Sequence, residues 1–288
     1  MRKSTFLLII TTVFFTKFIF AQAPIFAETV ADTSARVYNN ITAVIGAFPA
    51  EVDILRSQMQ AKKEVFIQHI RFTEGTLNGH KIVLAQTGIG KVNAAITTTL
   101  LLEHFQPKEL LFTGIAGGIN ANLLPGDLVI GNKVAYHDYG TITDDSMQLR
   151  STRNPNSMVE NPIYFACDTL LVHLANSVGK NLVFEKIKMA DGSHSPQIIT
   201  GTIVTGDVFV SSATAVARLR KQMNADATEM EGAAVAQTCY QQKVPFLVIR
   251  SLSDNANGHA SSDVATFYKI AAENSAKLVV AILGEMKK

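Results

Sequence analysis

The hydrophobic positions of this chain form short continuous apolar runs that alternate with stretches of helical spacing. Runs such as 41–47 (ITAVIGA) are typical of strands buried on both faces of a sheet. Further strands are predicted at 109–113, 127–137, 201–205, 227–229 and 245–252. Helices are predicted at 92–105, 164–178, 213–223, 231–242 and 262–286. This alternation predicts an α/β fold, a three-layer α/β/α sandwich around a central mixed β-sheet.

Three further segments carry local predictions. Segments 64–72 and 80–87 are rich in β-formers and are predicted to form a hairpin across an Asn78-Gly79 turn. The glycine-rich stretch 114–118 is expected to be a turn. Segment 141–162 is polar and is predicted to be a long surface loop, a kind of segment that is often functional.

The N-terminus has a different pattern from the rest of the chain. Two basic residues precede a long apolar region, and Ala21-Gln22-Ala23 supplies the small residues of a cleavage site. An uncleaved membrane anchor is the alternative, but Lys17 interrupts the apolar region. We therefore expect a signal peptide at 1–23, a leader at 24–40, one domain over 41–288, and a periplasmic or secreted protein without stable membrane insertion after cleavage.

Composition excludes several classes of protein. The net charge is +2 and there is no run of Lys or Arg, so we expect no nucleic-acid partner. The only cysteines are Cys167 and Cys239, which could pair in an exported chain, although Cys239 lies in an apolar helical stretch that favours a buried thiol. Two cysteines make a structural zinc site implausible, and we expect neither a metal nor a cofactor.

Five short segments place charged or glycine residues at predicted strand ends, where α/β proteins bind their ligands. They are 48–51 (FPAE), 87–91 (TGIGK), 113–118 (TGIAGG), 229–231 (EME) and 250–254 (RSLSD). The TGIGK segment lacks the spacing of a phosphate-binding P-loop and is expected to be a tight turn. The TGIAGG segment would let a ligand approach the backbone closely, or is a purely structural turn.

The charged residues of these segments each allow two interpretations. Glu51 is either a catalytic carboxylate or an acid favoured by the helix dipole. Only one of Glu229 and Glu231 is expected to meet a ligand, because a strand-to-helix junction breaks the side-chain alternation. Arg250, inside a buried strand, must be paired. Asp254 is placed either as a general acid or in a structural salt bridge.

Taken together, these segments resemble one known family. Over about 41–285 the chain resembles the 5′-methylthioadenosine/S-adenosylhomocysteine nucleosidases of the purine nucleoside phosphorylase superfamily. The resemblance rests on IGAFPAEV, TGIGKVNAA, FTGIAGG, YHD, VTGDVFV, ATEMEGAAVAQ, VPFLVIRSLSD and the final helix. It implies a nucleoside phosphorylase-like fold, commonly a homodimer, and a nucleosidase domain that hydrolyses the N-glycosidic bond of adenine nucleosides and releases adenine.

The resemblance also implies a role for individual residues. Asp254 matches the acid that protonates adenine at N7, and Glu51 matches the carboxylate that activates water. Glu231 matches the residue that binds the ribose hydroxyls, and Phe209 matches the aromatic that stacks on adenine. Further substrate contacts are implied for Met230, Val210, Ala116, Gly117, Arg250 and Ser253.

The chain departs from the family pattern in two places, and two alternative functions remain. Ile115 stands where many bacterial members carry Ser, and Phe48-Pro49-Ala50 replaces a more acidic stretch. A nucleoside phosphorylase would need Arg residues to bind phosphate, and none follows the first strand or precedes the glycine segment. An exported binding or adhesion protein on this fold would have no need for Glu51, Glu231 and Asp254 together.

Overall fold

The computed structural model describes residues 38–143, 147–155, 158–189 and 192–286. The predicted signal peptide and most of the predicted leader lie outside these residues. The helices are α1 (Pro49–Gln58), α2 (Lys91–Phe105), α3 (Thr169–Gly179), α4 (Ala213–Met223), α5 (Gly232–Gln241) and α6 (Ala260–Glu285). The strands are β1 (Asn39–Gly46), β2 (Gln60–Ile67), β3 (Ile70–Leu77), β4 (His80–Gln86), β5 (Pro107–Phe112), β6 (Ile115–Gly118), β7 (Leu128–Tyr136), β8 (Gly140–Ile142), β9 (Met147–Leu149), β10 (Tyr164–Ala166), β11 (Ile187–Met189), β12 (Gly192–His194), β13 (Ile198–Thr205), β14 (Ala227–Glu229) and β15 (Phe246–Asp254).

Eleven of these strands form one mixed sheet, in the order β10-β7-β13-β14-β6-β15-β5-β1-β4-β3-β2. The pairs β1–β4, β1–β5, β5–β15 and β13–β14 are parallel, whereas β2–β3, β3–β4 and β6–β14 are antiparallel. Helix α2 packs against α5, and α6 packs against α1 and α3. The predicted α/β class with a central mixed sheet is confirmed.

The core lies where the parallel strands meet. Val44 of β1 has Leu84 of β4 and Leu111 of β5 as its neighbours, and all three side chains are fully buried. All nine residues of β15 are buried. The uninterrupted apolar runs of the sequence follow from this, because strands covered on both faces have no solvent-exposed side.

Two predicted segments are interrupted in the structure. Segment 64–72 contains a turn at Gln68 and His69, whose φ angles are positive, so that β2, β3 and β4 form a three-stranded meander. The predicted Asn78-Gly79 turn joins β3 to β4. Segment 164–178 begins with β10, and its helix begins only at Thr169, because the Asp168 carboxylate caps the backbone N–H groups of the first turn.

The predicted glycine turn and the predicted long loop also contain strands. Residues 115–118 form β6, which pairs with β14 and β15 and so continues the sheet across the glycines. In the described part of segment 141–162, β9 pairs antiparallel with β8, and Arg153 bridges to Glu160. Both cysteines are buried, and neither is part of a disulfide. Among the described helices, none is both long and apolar enough to cross a membrane.

Candidate active site

A cleft of about 280 Å³ opens at the ends of the central strands. Eight of the ten predicted site residues line it: Glu51, Ala116, Gly117, Phe209, Met230, Glu231, Ser253 and Asp254. Val210 lines a smaller pocket that shares Gly117, Phe209 and Asp254 with the cleft. Arg250 does not line the cleft and is buried beneath it. The structure therefore brings together residues that lie up to about two hundred positions apart in sequence.

The carboxylate of Glu51 is enclosed by backbone N–H groups. Glu51 is the third residue of α1, and its side chain reaches back to accept hydrogen bonds from Ala47 N and from Phe48 N at 3.4 Å. Its other oxygen accepts from Ile115 N at 2.9 Å. Burial raises the pKa of Glu51, although nearby Arg250 and these N–H groups act against that rise. Glu51 thus has both of the features that the sequence offered as alternatives, since it lies in the first turn of a helix and also lines the cleft.

Asp254 ends β15 and is buried at the wall of the cleft. Its carboxylate accepts from Ala256 N at 2.7 Å and from the Ser253 hydroxyl at 2.9 Å. Burial raises the pKa of Asp254, which these two donors partly offset. A Cβ at Gly117 would lie 3.0 Å from Asp254 Oδ1, so glycine at this position keeps the approach to the carboxylate open.

The two glutamates of the EME segment have different partners. Glu229 Oε2 accepts from Arg250 Nη2 and Gly232 N, each at 2.7 Å, and from Glu231 N at 3.1 Å, while Oε1 accepts from the Thr205 hydroxyl. Glu231 accepts a hydrogen bond from Gly90 N at 2.8 Å. The prediction that Arg250 must be paired is confirmed, and Glu231 is the carboxylate with acceptor capacity left for a ligand.

Electrostatics also distinguishes Glu231. Burial and, next in size, the charge of Glu229 raise the pKa of Glu231 to about 8, while Arg250 and Gly90 N lower it. Three carboxyl groups with raised pKa values therefore surround one cleft, which is the pattern expected of acid–base chemistry.

The remaining walls of the cleft are mostly apolar. Phe209 lies at the rim, 53% exposed, and Met230 lies beside Glu231. Eight lining residues were not among the predicted site residues: Ala47, Phe48, Ile89, Ile115, Thr228, Glu229, and, on α6, Val264 and Tyr268. The i, i+4 spacing of Val264 and Tyr268 places both on one face of that helix, but nothing local in the sequence indicated which site this face meets.

Four buried carboxyl groups line a cleft at the strand ends of a mixed α/β sheet, and three of them have raised pKa values. These features define the class as an α/β enzyme with acid–base chemistry. Comparison with known proteins gives the family. Residues 41–284 match the family described as the phosphorylase superfamily. The chain is 39% identical over 246 residues to the 5′-methylthioadenosine/S-adenosylhomocysteine nucleosidase of Bacillus thuringiensis (strain Al Hakam), covering 85% of this chain and 99% of that protein.

Solved structures agree with this result. The nucleosidase of the same name from Neisseria meningitidis, in complex with methylthio-immucillin-A, is 37% identical with a TM-score of 0.73, covering 86% of this chain and 100% of that one. Futalosine hydrolase of Helicobacter pylori is 28% identical with a TM-score of 0.73, covering 86% and 98%. The chain belongs to the phosphorylase superfamily and, within it, to the 5′-methylthioadenosine/S-adenosylhomocysteine nucleosidase family.

Proposed function

We propose that this protein hydrolyses the N-glycosidic bond of adenine nucleosides such as 5′-methylthioadenosine and S-adenosylhomocysteine, and releases adenine. The observation that carries the proposal is the placement of Asp254, Glu51 and Glu231 around one cleft, all buried and all with raised pKa values. The names of the similar proteins from Bacillus thuringiensis and Neisseria meningitidis support the same substrates.

Asp254 is assigned as the general acid. In N-glycosidic cleavage the ribosyl group becomes cationic as the base leaves, and protonation of the base at N7 makes it a better leaving group. A raised pKa keeps more of the Asp254 carboxyl protonated near neutral pH, which suits proton donation. The Ser253 hydroxyl and Ala256 N fix the orientation of the carboxyl.

Glu51 is assigned as the group that activates water. Its two oxygens are held by N–H donors from Ala47, Phe48 and Ile115, so its orientation does not depend on a mobile side chain. A Cβ at Gly114 would lie 2.6 Å from Glu51 Oε1 and 3.0 Å from Arg250 Nη1, so only glycine allows this packing. Glu51 accepts the proton of the attacking water.

Glu231 and Phe209 are assigned to substrate binding. The free acceptor capacity of Glu231 suits two neighbouring hydroxyl groups of a ribose, each of which donates a hydrogen bond. Phe209 offers an aromatic face at the rim, where a purine can stack. The apolar side chains of Ile89 and Val264, with Phe48, suit an uncharged thioether substituent at the 5′ position.

Water, rather than phosphate, is assigned as the nucleophile. None of the described residues that line the cleft is Lys, Arg or His. Arg250, buried beneath the cleft, is paired with Glu229. A phosphate ion would therefore meet carboxylates without a cation to bind it, whereas water does not need one.

We also propose that the protein acts as a homodimer. Ile89, Val92 and Ile96 expose large apolar side chains at the start of α2, and Ile89 also lines the cleft. Burying such a patch against a second copy is favourable. Sedimentation analysis is expected to give the mass of two chains, and Val92→Asp is expected to shift the equilibrium towards monomer. A wild-type protein that sediments as a monomer at micromolar concentration would contradict this proposal.

Export is proposed from the pattern of residues 1–23, with a basic start, an apolar region and an Ala21-Gln22-Ala23 ending. Expression of the full chain in a bacterium, followed by fractionation and N-terminal sequencing, tests this. A periplasmic or secreted product that begins at Pro24 is expected. A cytoplasmic product that keeps Met1 would refute it.

The assignment of roles is tested with three variants of matched chemistry. Asp254→Asn and Glu51→Gln are each expected to lower kcat for adenine release from methylthioadenosine by about 10²–10⁴-fold, since each removes one proton-transfer group. Asp53→Asn, on the exposed side of α1, makes the same chemical change outside the cleft and is expected to retain wild-type kcat. Full activity in either cleft variant would overturn its assignment.

A further inference from the structure

A lysine between two aspartates lies beside the cleft, and the reaction proposed above does not use it. Lys91 Nζ lies 2.8 and 2.7 Å from the two carboxylate oxygens of Asp138, and 3.7 Å from an oxygen of Asp207. The backbone also joins the three residues, because Lys91 N donates to Asp207 and Asp207 N donates to Asp138, each at 2.8 Å. We call these three residues the Lys91 cluster.

Each member of the Lys91 cluster follows a different strand. Lys91 begins α2 after the loop that leaves β4, Asp138 follows β7, and Asp207 follows β13. The side chains of Lys91 and Asp138 are each 22% exposed, so the pair is partly shielded from water. Charge-assisted hydrogen bonds of this length are stronger than neutral ones, particularly when the contact is bidentate.

Two of the joined loops form walls of the cleft. Gly90, next to Lys91, donates the 2.8 Å hydrogen bond that Glu231 accepts, and Ile89 lines the cleft. Phe209 lies two residues after Asp207 and forms the rim. The position of Lys91 therefore affects both the carboxylate assigned to ribose and the ring assigned to adenine.

The charge of Lys91 adds to the two backbone hydrogen bonds that join these loops. Without the ammonium group, Asp138 and Asp207 would face each other as like charges, and the loop that carries Phe209 would be pushed away from β7. Asp207 also accepts from the first N–H of α2, where the helix dipole favours a negative charge. Loss of Lys91 is thus expected to move Gly90 and Phe209 while leaving Asp254 and Glu51, which lie on other elements, in place.

We propose that Lys91, held by Asp138 and Asp207, is a positioning residue that sets Gly90–Glu231 and Phe209 for nucleoside binding. This inference rests on the proposed function, since it assigns the cluster to substrate affinity in that same site. Lys91 does not itself line the cleft, so it acts through its neighbours rather than on the substrate.

The test compares kcat and KM for methylthioadenosine in Lys91→Met, Lys91→Arg, Asp138→Asn and the double variant Lys91→Met/Asp138→Asn. The control is Lys63→Met. Lys63 is an exposed residue of β2, at the far edge of the sheet, so this variant removes the same charge away from the cleft. Lys91→Met is expected to raise KM about tenfold while kcat stays within about threefold of the wild-type value. This is the result expected when a variant weakens substrate and transition-state binding equally. Lys91→Arg is expected to recover most of the affinity, and the double variant to be no worse than Lys91→Met alone.

Calorimetric Kd values for adenine and methylthioadenosine, measured on an Asp254→Asn background, separate this inference from the proposed function. Absence of adenine release by the wild type would refute the proposed function, and the Kd comparison would still decide the positioning role. Equal Kd values for Lys91→Met and Lys63→Met would overturn the inference, as would a fall in kcat at unchanged KM. If the Asp254→Asn chain binds neither ligand, the same Kd comparison is made with adenine on the wild-type background, where adenine is not consumed. Should Lys91→Met fail to fold, Asp138→Asn gives the same comparison.

Discussion

Arg250 and Glu229 form a buried ion pair, with 2.7 Å between Nη2 and Oε2 and side chains that are 1% and 3% exposed. The guanidinium also lies over the Phe112 ring and donates to the carbonyl of Ile249. Because Glu229 accepts from Arg250 and from the first N–H groups leading into α5, it fixes the backbone that carries Glu231. The pair thus holds in position the carboxylate that we propose to bind ribose.

The first prediction concerns the stability of this pair. Glu229→Gln leaves Arg250 buried without its counter-charge and is expected to lower the free energy of unfolding by about 3–5 kcal/mol. The control is Glu160→Gln. Glu160 lies 3.3 Å from its partner Arg153, and both side chains are exposed. The free energy of unfolding is expected to fall by less than about 1 kcal/mol in this variant. Urea denaturation measures both, and equal losses would contradict the structural role given to Glu229.

The second prediction concerns pH. The pKa of Glu231 is raised in the folded protein, so the native state binds more protons than the unfolded state between the ordinary glutamate range and about pH 8. Stability must then fall as pH rises through that window, and the raised pKa values of Glu51 and Asp254 act in the same direction. Glu231→Gln is expected to lose less stability between pH 5.5 and pH 8.5 than the wild type. Parallel losses, measured by denaturant titration, would show that Glu231 does not titrate in this way.

The third prediction concerns Ile115, where the resemblance implies a departure from the family pattern. Glu51 is oriented by the backbone N–H of this residue, which any side chain leaves available. Ile115→Ser is therefore expected to change kcat/KM by less than about threefold. A change of this size is smaller than the effect on kcat/KM that one additional hydrogen bond typically has. A gain of tenfold or more in steady-state assays would mean that the hydroxyl is needed and that the backbone contact does not replace it.

The fourth prediction concerns the thiols. Cys167 and Cys239 are both buried and outside any disulfide, and burial raises the pKa of Cys167 to about 12. A thiol reagent is expected to react slowly with the native protein. After denaturation, the same reagent is expected to modify two thiols per chain. Rapid reaction of the native protein, or no free thiol in the denatured protein, would contradict this arrangement.

The sequence was most informative where strands are buried on both faces. The runs that contain Val44, Leu111 and Val248 correspond to β1, β5 and β15. Residues at or just after the ends of these strands, Glu51, Ile115 and Asp254, line one cleft. The turn at Gln68 and His69 could not be predicted, because it contains neither Gly, Asn nor Asp, and His, although enriched at positive φ, does not by itself mark a turn. The strand β10, which stands at the start of the predicted helix 164–178, depends on pairing with β7, which a local pattern does not encode.

The site was predictable only in part, for a similar reason. Asp254, Glu51 and Glu231 belong to motifs with a recognisable order, so their proximity could be expected. The contact between Gly90 and Glu231 spans 141 positions, and that between Lys91 and Asp138 spans 47. Such contacts arise from sheet order, as does the return of Tyr268 to the cleft, and the periodicity of single segments carries no information about them.

The central claim is that water, not phosphate, cleaves the bond to adenine. The most direct measurement is the sugar product formed from methylthioadenosine in ¹⁸O-enriched water containing phosphate, quenched after short times and analysed by mass spectrometry. Hydrolysis gives free adenine and methylthioribose carrying one heavy oxygen, at the same rate when phosphate is omitted. A methylthioribose phosphate without heavy oxygen, or no reaction in the absence of phosphate, would contradict it.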